Sequence, residues 1–169
     1  PNHFRVATLS EVTDAFLAHA AAEDRSSKTL TKYKQVTREV AQLATERSIT
    51  LVDGLGAQFA DTYRQRLKQR GNKPNTIYTK LVILASVTLF ALRRQMCAMN
   101  PLSGYRMKKP KSAPQPCWTP EQADQIVQAS PATYHPYLQF LRETGCRAGE
   151  AKFLTWDDIQ ADSRVILIR

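Results

Sequence analysis

The sequence predicts a mainly helical protein in two parts: a four-helix bundle over residues 1–100, a basic linker over 101–118, and the beginning of an α+β domain over 119–169. Three observations carry this. Apolar residues recur at helical spacing in four segments before residue 100, each bounded by a cap or a breaker. Residues 101–118 hold Pro101, Pro110, Pro114 and Pro116 with Arg106, Lys108, Lys109 and Lys111 and show no apolar period, as an extended tether would. Charge is divided along the same line: residues 1–116 carry 19 Lys and Arg against 8 Asp and Glu, a formal +11, and residues 117–169 carry 5 against 7, or −2.

Each element follows from local chemistry. Thr8-Leu9-Ser10-Glu11 is a capping-box pattern, and Val12, Phe16 and Leu17 continue it as a first helix to about residue 22. Ser26-Ser27 caps a second helix, 28 to about 47, whose Leu30, Tyr33, Val36, Val40 and Leu43 form one apolar stripe, with Lys28, Lys32 and Arg38 on other faces. Asp53-Gly54-Leu55-Gly56 interrupts the pattern before a third helix, 57 to 70, with Phe59, Tyr63 and Leu67 inward and Gly71 at its end. A fourth helix opens at Pro74-Asn75 and is expected to reach about residue 98, where Asn100-Pro101 stops it; its segment 81–92 is apolar nearly all round, as suits a bundle's central helix. Beyond the linker, Thr119-Pro120-Glu121 opens a helix to about residue 129, and Pro131 opens another with Tyr137, Phe140 and Leu141 inward, ending at Thr144-Gly145. A short helix over 148–154 and a strand over 164–168 complete the reading.

Composition narrows the function. With 43% hydrophobic residues in 169, the chain suits one or two small domains, and its longest apolar run, 81–92, is shorter than the roughly 20 residues of a membrane span. Pro1-Asn2-His3-Phe4-Arg5 lacks a secretion pattern, and Cys97, Cys117 and Cys146 lack paired spacing, so a reducing, cytoplasmic setting is expected. A start without Met and an end at Arg169 inside a strand suggest a fragment of a longer chain. There is no glycine-rich phosphate loop, His-Glu-x-x-His, Cys-x-x-Cys or Gly-x-Ser-x-Gly elbow, and His3, His19 and His135 are scattered; no cofactor and no metal are expected. A basic helical half favours a polyanion, because each Lys or Arg on a phosphate releases counterions; a merely solubilising surface and a membrane surface are the other readings of charge alone.

One segment combines the elements of an anion site: Thr144-Gly145-Cys146-Arg147-Ala148-Gly149-Glu150, followed by Phe153-Leu154-Thr155-Trp156-Asp157-Asp158-Ile159. Gly145 can take the left-handed conformation that ends one helix, which sets Arg147 at the start of the next, where free N–H groups favour anions. Glu150, three residues on, shares its helical face and can brace the guanidinium. By physics alone an ordinary surface Arg is the favoured reading.

The pattern Thr-Gly-x-Arg-x-x-Glu-x-x-x-Leu-x-Trp-x-Asp-Ile resembles the first catalytic box of the tyrosine recombinases, the phage integrase family. Upstream, Ser27, Thr29 and Tyr33, Asn75 opening a long helix with Leu84 and Phe90, and Asn100-Pro101 before the Lys/Pro stretch resemble that family's core-binding domain. The resemblance implies a four-helix SAM-like core-binding bundle and the amino-terminal part of a catalytic domain, clamped together around duplex DNA. It implies a site-specific DNA recombinase in which a tyrosine attacks a phosphodiester to form a 3′-phosphotyrosyl link, with neither metal nor ATP, and in which the full-length protein acts as a homotetramer on DNA while the fragment is monomeric. Arg147 matches the first catalytic arginine, suited to holding two non-bridging oxygens, and Glu150 the position that supports it. Cys146 and Ala151-Lys152 depart from the usual pattern. The family's catalytic lysine, His-x-x-Arg box and nucleophilic tyrosine have no counterpart in these 169 residues, so the fragment is expected to bind DNA without cutting it, and a non-catalytic DNA-binding regulator is the alternative.

In that family the second and fourth helices face DNA, which makes Ser27, Lys28, Thr29, Thr31 and Lys32, and Lys73, Asn75, Thr76 and Lys80, the candidate contacts. Their lysines would set register on phosphates, while Asn75 or Thr76 would reach base edges. Arg64, Arg66, Lys68 and Arg70 encircle the third helix as further phosphate candidates, and Arg106, Lys108, Lys109 and Lys111 would cross the DNA edge between the two domains.

Overall fold

A computed structural model describes residues 6–111, 114 and 117–168; the amino-terminal pentapeptide with His3, the linker residue Pro116 and Arg169 lie outside the described residues. The protein is mainly helical, and two compact units divide at residues 112 and 113.

The first unit is built on four helices: α1 (Leu9–Ala22), α2 (Ser27–Glu46), α3 (Ala57–Gln69) and α4 (Pro74–Arg93). Thr8 caps α1 with the full reciprocal box: its hydroxyl accepts the Glu11 N–H at 3.2 Å while its own N–H donates to Glu11 Oε2 at 2.7 Å. Ser26 caps α2 one way only, its hydroxyl accepting the Thr29 N–H at 3.3 Å. The apolar stripes then close on one another: Val12 and Phe16, Val36, Val40 and Leu43, Phe59, Tyr63 and Leu67, and Leu81, Leu84 and Val87 are all buried in one cluster. Phe16 packs edge-on to Phe90 at 5.6 Å and lies 5.1 Å from the Tyr33 ring. Leu30 and Tyr33, expected inward, lie half-buried at its margin.

Helix α4 is five residues shorter than its apolar pattern suggests. Gln95 takes a left-handed conformation (φ 56°), and the Gln95 and Met96 N–H groups donate back to Leu92 and Ala91 at 3.0 and 2.8 Å, a Schellman-type stop. The chain can leave the helix there because Cys97 gains a buried position and the Met96 carbonyl accepts the Ala7 N–H at 2.9 Å. By length and composition α4 could cross a membrane, but 44% of its apolar window is buried inside this unit; Val82 and Leu89 are the exposed part, so the helix is not enclosed all round.

The first unit also takes in the start of the segment read as linker. Leu102 is buried, Tyr105 and Met107 pack against the core, and Gly104 turns the chain at φ 75°. Tyr105 donates to Asp61 Oδ1 at 2.7 Å, and Arg64 lies over its ring at 5.3 Å. Residues 101–110 thus form a strap across α3 and α4 rather than an extended tether. The apolar positions that do this, 102, 105 and 107, have no helical or strand period, so periodicity alone could not mark them.

The second unit contains α5 (Pro120–Ala129), α6 (His135–Thr144), α7 (Ala148–Ala151) and a hairpin of β1 (Ile159–Gln160) with β2 (Val165–Ile166), paired antiparallel with Ile159 opposite Ile166. Thr119 and Gln122 form a capping box at α5, and Gly145 (φ 67°) ends α6 in the left-handed conformation expected of it. The short helix stops at Ala151 rather than 154, and the strand is limited to two residues. Among the described residues of this unit only Asp158 is buried; Tyr137, expected inward, is exposed, and Phe140 and Leu141 are half-buried.

Candidate nucleic-acid interface and the Arg147 turn

Of the depressions on the first unit, two share Asn72. The first, of about 330 Å³, runs between α2 and α4 and is lined by Lys32, Gln35, Asn72, Asn75, Thr76, Thr79 and Lys80 over Val36 and Ile83. It brings together four of the predicted contacts, Lys32, Asn75, Thr76 and Lys80. The second, of about 360 Å³, lies between α3, the start of α4 and the strap; Arg64, Lys68, Arg106 and Lys108 surround a floor that includes Ile77, Leu81 and Met107. Arg106 and Lys108, expected on a free tether, are therefore gathered beside two cations of α3. Lys109 and Lys111 are exposed and line neither depression.

The remaining candidates stand apart from both. Ser27 and Lys28 are exposed at the start of α2, the Thr31 hydroxyl donates to the Ser27 carbonyl at 2.9 Å, and the Thr29 hydroxyl shares a 2.9 Å hydrogen bond with Ser26. These hydroxyls are engaged locally within the first turns of α2, an alternative to binding a ligand. Lys73 is the exposed residue preceding α4.

Lys80 differs from every other candidate. Its Nζ donates to Glu39 Oε1 and Oε2 at 2.7 and 2.9 Å, and the two side chains are only 12% and 15% exposed. Tyr63 donates to Glu39 Oε2 at 2.7 Å and the Gln35 amide to Oε1 at 3.1 Å, so one carboxylate joins α2, α3 and α4. Burial pushes the Glu39 carboxyl up, but the hydrogen bonds from Lys80 and Tyr63 and the Lys80 charge outweigh it and hold it below the usual carboxylate range. Burial and the same carboxylate push the Tyr63 hydroxyl well above its ordinary value. Gln35, Glu39, Asn72 and Thr79 are additions to the sequence-derived set. A signal for two of them was present: Gln35 follows Lys32 by three residues and Thr79 follows Asn75 by four, polar rows beside the apolar stripes.

In the second unit Gly145 turns the chain and Arg147 sits at the N-cap of α7, as expected. Glu150 braces it twice: Oε2 accepts the Arg147 backbone N–H at 2.8 Å, and Oε1 accepts from Nη1 at 2.7 Å. The backbone and guanidinium hydrogen bonds lower the Glu150 carboxyl and keep it ionised. The Arg147 side chain is 86% exposed, so the rest of its guanidinium fork is open to an anion. Among the described residues no three His, Cys, Asp or Glu side chains converge as a metal site, and all three cysteines are free thiols.

No family model matches this chain, and neither do curated proteins or solved structures.

Proposed function

We propose that this chain is the duplex-DNA-binding portion of a tyrosine-type site-specific recombinase. On this reading residues 6–111 are a SAM-like core-binding domain and residues 119–168 are the amino-terminal part of a catalytic domain. The observation that carries it is the pairing of the two depressions: four cations at one suit backbone phosphates, and the amide and hydroxyl groups of the other suit base edges. The resemblance of Thr144–Ile159 to a recombinase box, with Arg147 braced by Glu150 and open to an anion, supports the finer assignment.

The DNA-binding claim is tested by titrating the 169-residue chain against a random-sequence 30-base-pair duplex. Engagement of the four cations gives a slope of log K against log salt of about −0.9 per phosphate, or roughly a 100-fold loss of affinity between 50 and 200 mM salt. A flat response overturns it. For the recombinase claim, the complete product of the gene with Arg147→Ala should form its covalent phosphotyrosyl complex about 100-fold more slowly or worse. Unimpaired cleavage by that variant, or no covalent complex from the unmodified protein, leaves a non-catalytic DNA-binding regulator as the reading.

A further inference from the structure

The two depressions differ in a way their sequences conceal. Both contain two or more Lys or Arg residues, but in the α2–α4 groove the ammonium of Lys80 is held by Glu39 at 2.7 and 2.9 Å. The carboxylate accepts four hydrogen bonds in all, two from Lys80, one from Tyr63 and one from Gln35, which occupies both oxygens. The pair is neutral, mostly buried and fixed from three helices. What it leaves at the surface is Lys32 at one end and a row of uncharged donors and acceptors: Gln35, Asn72, Asn75, Thr76 and Thr79. The Gln35 amide, tied to Glu39 through one N–H, keeps its carbonyl and second N–H for a ligand. Asn72 is likewise anchored, donating to the Leu67 carbonyl at 3.0 Å.

We propose that Glu39 is a positioning residue that decides what the α2–α4 groove binds: by neutralising Lys80 and orienting Gln35, it makes the groove a reader of base edges and denies it to backbone phosphates. This rests on the DNA-binding reading above and adds its selectivity. A phosphate entering the groove would meet one cation and a buried carboxylate, whereas the neighbouring depression offers four cations, of which Arg64 faces Asp61 at a looser 3.6 Å in a pair that is far more exposed than Lys80–Glu39. Gln35 and Asn75 carry the paired donor and acceptor that match the N6 and N7 edge of adenine, so an A·T pair is the expected element of the preferred sequence.

The test uses the 169-residue chain and a 30-base-pair duplex pool randomised at its centre, read by bind-and-sequence and by salt titration. Wild type should select a preferred sequence. Glu39→Gln, which keeps the shape but releases the Lys80 charge, should bind the unselected pool several-fold tighter, steepen the salt slope by about 0.9, and shrink the ratio of preferred to pool affinity at least fivefold. Gln35→Ala should lose roughly five- to 100-fold on the preferred sequence, relax selection at one position, and leave the salt slope unchanged. The double variant Glu39→Gln/Lys80→Met, which leaves no unpaired buried charge, should return the slope to the wild-type value; it also serves if the single variant folds poorly. An unchanged salt slope in folded Glu39→Gln, or a Gln35→Ala loss that is equal for all sequences, overturns the proposal while leaving DNA binding intact. Failure of the wild-type chain to bind any duplex overturns both.

Discussion

The two units of this chain are held together by different physics. In the first, local signals and burial agree: capped helices present apolar stripes that meet in one cluster, with Val12, Leu67 and Leu84 fully enclosed. In the second, the local signals are as good or better. α5 has a reciprocal cap with proline in its first turn, α6 ends in a left-handed glycine, and Arg147 and Glu150 close a third cap. Yet Phe153, Trp156 and Trp118 are 78%, 87% and 72% exposed. Caps and turns are therefore enough to specify elements; only the mutual burial of stripes makes a core.

The largest expected effect falls on the first unit. Leu84→Ala removes a fully buried side chain and should destabilise that unit by about 2–5 kcal/mol in urea unfolding followed by far-ultraviolet circular dichroism. Both tryptophans lie in the second unit, so their fluorescence should not register this change, and a coincident shift in both signals would break the comparison.

Next is acid sensitivity, also a property of the first unit. Because Glu39 is held below its ordinary value of 4.5, the unfolded chain takes up its proton first as pH falls. The stabilisation it supplies is complete above that value and is lost as pH drops through the folded-state value. Glu39→Gln should flatten the acid limb of the stability profile measured by thermal melts. At the alkaline side the sign reverses: burial and its bond to Asp61 raise Tyr105 to about 12, so its contribution is lost as pH rises above the ordinary tyrosine value of 10.

In the second unit the effects should follow backbone and caps. Gly145→Ala meets no neighbouring atom within 4 Å, so its cost is conformational only, about 1–2 kcal/mol, and confined to hydrogen exchange near α6 and α7. Thr119→Ala should cost about 1 kcal/mol and raise exchange in α5. Phe153→Ala should be smallest, within about 0.5 kcal/mol, because that ring is already in solvent; a core-sized loss there would erase the distinction between the units.

Much of this molecule was legible without coordinates. The starts of α1, α2, α4 and α5 and the end of α6 follow from Thr8, Ser26, Pro74, Thr119 and Gly145, because a cap is decided by groups within a few residues of each other. The Arg147–Glu150 brace was legible for the same reason. The end of α4 was not, since helical propensity continues past Arg93 and the stop depends on Cys97 and Met96 docking against distant residues. Nor was the strap: its basic residues read as a tether, and it is Leu102, Tyr105 and Met107 meeting α3 and α4 that order it.

The sequence by itself determined which segments are helices, where they begin, which half carries the positive charge, and where an arginine meets a helix start. These are short-range facts of backbone hydrogen bonding and composition. Only the tertiary structure decided which of those charges are available. Lys80 and Arg106 look alike in the chain, but the fold brings Glu39 from 41 residues away to the first and gathers the second with Arg64 and Lys68. A lysine's chemistry is set by what lies within a few ångströms of its ammonium, and that depends on how the helices pack.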